Sequence, residues 1–133
     1  VLKESSLTTK LRVVFDASCP STSGISFNDL QMTGPTIQSD LFSILIRYRQ
    51  HNYVIAADVE KMYRMCKINE TQRTLQRILW RNNKTDEIGT YELQTVTYGT
   101  KSAAFLAIRC LFQLGIECEA EFPEVARAIK EDF

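Results

Sequence analysis

The chain has 133 residues, 44% hydrophobic and 24% charged, with four cysteines and no net charge. That is enough chain for one domain with a core of its own, and the composition is that of a folded protein rather than a disordered one. No apolar run approaches the ~20 residues that span a bilayer, so no membrane partner is expected. The start, Val1-Leu2-Lys3-Glu4, has neither an initiator Met nor the layout of a signal peptide, and reads as an internal piece of something longer.

Zero net charge hides an asymmetry. Residues 1–84 carry 12 Lys/Arg against 7 Asp/Glu, and residues 85–133 carry 4 against 9. A basic N-terminal half can face an anion such as nucleic acid, or can simply be solvated surface. Cys19, Cys66, Cys110 and Cys118 include no CxxC pair, and the lone His51 is far from them in sequence. They read as reduced, mostly buried thiols of an intracellular protein, with a disulfide framework as the minor alternative.

In chain order, Lys10–Phe15 (KLRVVF) predicts a strand and Asp16–Ser26 a loop. After the break at Gly34-Pro35, Ile37, Leu41, Ile44, Leu45 and Tyr48 predict a helix over Thr36–Gln50, with Ser39 and Asp40 suited to its start. Tyr53–Val59 (YVIAADV) predicts a short buried strand. Glu60–Arg64 is expected to be a turn or one helical turn, and Asn69–Gln76 is polar, with Glu70 placed as an early helix acid. Arg77–Arg81 and Thr90–Tyr98 predict a hairpin around the turn-rich Asn82–Gly89. Gly99 then opens a helix over Lys101–Ile116, and Glu117–Phe133 predicts a further helix with Pro123 in its first turn. The fold class is α+β, in one domain over residues 1–133.

Four places can carry chemistry. Asp58 ends the apolar run, where a carboxylate needs a partner or a metal ion and suits Mg²⁺; the other reading is a cap for the next turn. Tyr63 can cover a sugar ring or simply pack. Lys3, Lys10 and Arg12 can grip phosphates or be surface charges flanking a strand. Tyr98-Gly99-Thr100-Lys101-Ser102 runs from a strand into a helix start, where outward N–H groups attract an anion.

The order and spacing of these residues resemble the reverse transcriptases of LTR retrotransposons, most closely the BEL/Pao group. The resemblance runs from Leu2 through Lys10-Leu11-Arg12-Val13-Val14-Phe15-Asp16-Ala17-Ser18, Ser26-Phe27-Asn28-Asp29-Leu30, Gly34-Pro35-Thr36 and Asp40-Leu41-Phe42-Ser43. It continues through Ala57-Asp58-Val59-Glu60-Lys61-Met62-Tyr63, Arg77-Ile78-Leu79-Trp80-Arg81, Val96-Thr97-Tyr98-Gly99-Thr100 and Phe105-Leu106-Ala107-Ile108-Arg109.

That family implies the fingers and the first part of the palm of a right-hand polymerase. Its reaction joins a primer 3′-OH to the α-phosphate of a dNTP on an RNA or DNA template, using two Mg²⁺ ions. Within the resemblance Asp58 and the Val59 carbonyl bind metal. Arg12 and Lys3 contact the triphosphate, Tyr63 lies under the incoming sugar, and Tyr98-Gly99 packs on the nucleotide. Lys101 and Ser102 begin the helix beneath the primer-template. The remaining partner is the rest of a Pol polyprotein, and the location an intracellular one, a cytoplasmic particle or the nucleus.

The chain departs from the family in lacking the Tyr-x-Asp-Asp hairpin and the thumb, so one of three metal carboxylates is present and the isolated chain is expected not to polymerise. Ala104 and Glu70 stand where the family usually has Pro, and Met65-Cys66 replaces a Gln-apolar pair. A non-catalytic retroelement relic, at most a weak nucleic-acid-binding domain, is the alternative; a plain interaction domain is the third reading.

Overall fold

The hairpin is the element that local sequence dictates most directly. Strand β1 (Arg77–Trp80) pairs antiparallel with β2 (Gly89–Glu92), Ile78 opposite Tyr91 and Arg77 opposite Glu92. Arg77 and Glu92 also form an ion pair at 2.9 Å across the strands. Asp86 folds the connecting turn by accepting from the backbone N–H and side-chain amide of Asn83. The computed structural model describes residues 11 and 13–133.

Besides this two-stranded sheet the described chain forms four α-helices: α1 (Leu41–Tyr48), the single-turn α2 (Met62–Met65), α3 (Ala103–Glu117) and α4 (Pro123–Glu131). Two 3₁₀ segments, Asn28–Leu30 and Glu70–Gln76, complete the described elements. The class is α+β, as the mixed periodicities imply.

Helices α1 and α4 and one 3₁₀ segment start for local reasons. The Asp40 carboxylate accepts from the Ser43 N–H at 3.0 Å and caps α1, and the Ser43 hydroxyl and backbone bonds together hold that carboxyl below its ordinary value. Asn69 caps the 3₁₀ segment through the Thr71 N–H. Pro123 occupies the first turn of α4, where its missing N–H costs nothing.

The core is small. Cys66, Val96, Ala103 and Ala107 are buried together, with Met62, Tyr63, Ile68 and Leu106 packed around them. The chain after β2 changes partner to build it: Ile68 donates to Gln94 and Val96 donates to Cys66, an antiparallel bridge that seats the Cys66 segment beside the helix-bearing turn. Helix α4 packs on α3 through the buried Gly115 and Ala126, and Lys130 bonds Glu119 at 2.7 Å. Arg47 of α1 reaches Asp132 at 2.9 Å and ties α1 to the end of α4. Gly34, at φ +84°, lies on the Phe105 ring so closely that any Cβ there would overlap it.

Two expectations fail, and a third falls partly outside the described residues. Tyr53–Val59 forms no strand and is not buried: Tyr53 and Ile55 are 94% and 92% exposed. A strand exists only when its N–H and C=O groups find a partner, and among the described residues this run has none. Of the strand expected over Lys10–Phe15, Lys10 and Arg12 lie outside the described residues, Leu11 makes a β-bridge, and Val13–Phe15 are irregular. The cysteines are not mostly buried either; Cys66 is, Cys118 is half-buried, and Cys19 and Cys110 meet solvent.

The exposed surface reaches 11107 Å², against about 7,100 Å² for a compact monomer of this mass. Leu41, Phe42, Leu45 and Ile46 of α1 and the run at Tyr53–Ile55 are large contributors to that excess.

Candidate nucleotide-facing surface

The best-built part of the expected site is the turn before α3. Gly99 has φ +90°, a conformation that a side chain disfavours. A Cβ at this position would come within 2.4 Å of the Phe15 carbonyl oxygen, so glycine is required by both dihedral and space. The Tyr98 ring meets the Phe15 ring with centroids 5.4 Å apart at a 55° tilt, a favourable offset geometry for two aromatics.

Asn28 locks the turn in place. Its side-chain N–H₂ donates to the Gly99 carbonyl at 3.1 Å and to the Ser18 hydroxyl at 2.8 Å, while its Oδ1 accepts from the Lys101 N–H at 2.7 Å. Gln31 extends the clamp, its Oε1 accepting from the Ser102 N–H and hydroxyl at 3.4 Å. Below these, Ser26 donates to Asp29 through both its N–H and its hydroxyl, which holds the Asp29 carboxyl below its usual range, the hydroxyl bond contributing most.

This clamp corrects one sequence expectation. The N–H groups of Lys101 and Ser102 do not point outward to an anion, because Asn28 and Gln31 have taken them, and the Ala103 N–H is bonded to Thr100. Lys101 keeps an exposed ammonium-bearing chain; Ser102 is half-buried. Asn28 and Gln31 were missed as supporting residues in sequence. Asn28 and Gly99 are separated by 71 positions, and no local pattern announces such a pair.

Asp58, Val59 and Tyr63 are held less evenly. Tyr63 is in α2 and packs against the core cluster. Ahead of it Lys61 adopts φ +52°, a left-handed conformation that costs a non-glycine residue about 1–2 kcal/mol. That sharp turn, closed by the Arg64 N–H on the Lys61 carbonyl, redirects the chain from the exposed run into α2. Val59 is half-buried; Asp58 is exposed, and its carboxylate has no hydrogen bond or ion pair among the described residues. Lys3 and Arg12 lie outside the described residues.

The described residues do not fit a pair of divalent cations. No three of their His, Cys, Asp and Glu side chains come together, and one exposed carboxylate is too few for two ions that each need several oxygen ligands. Beside the clamp a groove of about 260 Å³ runs between the hairpin and the N-terminal loop, lined by Phe15, Phe27, Leu75, Ile78, Leu93 and Thr97. Its walls are mainly apolar and its rim carries Arg77, already paired with Glu92.

No family model matches the chain, and neither a curated protein nor a solved structure is similar to it.

Proposed function

We propose that this chain is the fingers and first palm portion of a retroelement RNA-directed DNA polymerase of the BEL/Pao type, contributing nucleotide and primer-template contacts but not a complete metal site. The observation that carries the reading is the junction of the Phe15–Ser18 segment with Tyr98-Gly99. Two stretches far apart in sequence, one read through the resemblance as part of the fingers strand and the other as the turn that packs on the nucleotide, are fastened together by one asparagine. In this reading the Tyr98-Gly99 turn offers its glycine backbone and aromatic face to a base pair, and Tyr63 offers its ring to the sugar. Lys101, with Arg12 and Lys3, answers the phosphates. The cofactor of the complete enzyme is Mg²⁺, with Asp58 and the Val59 carbonyl as this chain's share of its ligands.

The lone exposed Asp58 favours a second reading, binding without catalysis. The test begins with the coding sequence past the codon for Phe133. An open frame reaching Tyr-x-Asp-Asp is expected, and the longer protein should extend a primer with dNTPs. Asp58→Asn should then lower incorporation by about 10²–10³-fold, the order lost when transition-state charge stabilisation is removed. A closed frame, or incorporation unaffected by Asp58→Asn, overturns the catalytic proposal. Salt-sensitive retention of a primer-template duplex would then support binding alone.

A further inference from the structure

Cys66 is a buried thiol, 8% exposed, which nothing in the polymerase reading uses. It ends α2, donates weakly to the Met62 carbonyl at 3.6 Å, and packs against Ala103 and Ala107 of α3. Ala103, Ala107 and Cys110 follow one another on a single stripe of that helix, at steps of four and three. Cys110 therefore continues the face on which Cys66 rests, but one turn further on, where it meets solvent. Burial first, and then the neighbouring Cys110 thiol, push the Cys66 thiol up to about 11. Cys66 is thus held protonated and shielded, while Cys110 is the sulfur that a dissolved oxidant reaches first.

We propose that Cys66 and Cys110 close into a reversible disulfide between α2 and α3 when the chain meets a hydroperoxide. The Cys110 sulfur gives an electron pair to one peroxide oxygen. The S–O bond forms, the O–O bond breaks, and the departing hydroxide takes the Cys110 proton as water. The Cys66 sulfur then attacks the Cys110 sulfenic sulfur. The S–S bond forms, the S–O bond breaks, and the leaving hydroxide takes the Cys66 proton as a second water. Two thiols are oxidised by two electrons and one hydrogen peroxide is reduced to two waters. A dithiol reductant reverses the bond by exchange. Because Tyr63 precedes Cys66 in the same short segment and packs on the same cluster, the bond fastens the Tyr63 turn to α3. The inference is independent of the polymerase reading.

The experiment is to treat the reduced full chain with equimolar hydrogen peroxide, digest it without reduction, and map the linked peptides by mass spectrometry. The expected result is a dominant Cys66–Cys110 linkage, lost on adding dithiothreitol, retained in Cys118→Ser and absent from Cys110→Ser, whose substitution is at the surface and leaves the core intact. Recovery of Cys110 as a dimedone-trapped sulfenic acid beside a free Cys66 overturns the proposal. So does a dominant linkage of Cys66 to Cys19 or Cys118.

Discussion

Tyr98-Gly99 and Asp58 are assigned by resemblance to the same bound nucleotide, yet the chain holds them in opposite ways. The turn at Gly99 is fixed by a glycine-only dihedral, a ring contact with Phe15, and three side-chain bonds from Asn28, two of them to the turn itself. The run leading to Asp58 has an exposed Tyr53, an exposed Ile55 and no backbone partner among the described residues. The difference lies in where the partners are. Everything that the turn needs is within the described chain, whereas an apolar strand edge without a neighbour stays irregular however well its residues suit a strand.

The largest expected effect is at the turn. Gly99→Ala forces a Cβ against the Phe15 carbonyl oxygen in a left-handed conformation and should cost about 3 kcal/mol, read as a lower midpoint in urea unfolding. An unchanged midpoint would break the contrast, since it would mean that the turn tolerates rearrangement. Asn28→Ala removes the donor to Gly99 and the acceptor for Lys101, and the same unfolding measurement should show a loss of about 1–2 kcal/mol. Asn28→Asp keeps the acceptor and loses the donor, so it should fall between wild type and Asn28→Ala; an equal loss would assign the whole effect to the bonds donated to Gly99 and Ser18. The smallest effect is expected in the open run. Tyr53→Ser with Ile55→Ser should change stability by less than about 0.5 kcal/mol while reducing self-association in sedimentation velocity. A loss above about 1 kcal/mol would show that this run is packed after all.

What was legible in sequence follows the same division. The β1–β2 hairpin was readable because its alternation and its turn chemistry are both local, as were α3, from its apolar stripe, and α4, from Pro123. Helix α1 was readable but shorter than its pattern, because Asp40, not Thr36, satisfies the first free N–H groups. The strand over Tyr53–Val59 was misread because its composition describes a buried strand, whereas among the described residues nothing pairs with it. Asn28 was legible only as part of the resemblance. Its two backbone contacts are satisfied far along the chain, and a polar residue in a loop carries no periodic signal.

The separation bridged by Asn28 also sets an order of events during synthesis. At roughly 5–20 residues per second, a ribosome needs about 4–14 s after making Asn28 to deliver Gly99. Through that interval the Phe15 carbonyl and the Asn28 amide face water, and the basic half of the chain emerges before the acidic half that balances it. The surface assigned to the nucleotide is therefore finished late, by a segment that arrives from the other end of the chain.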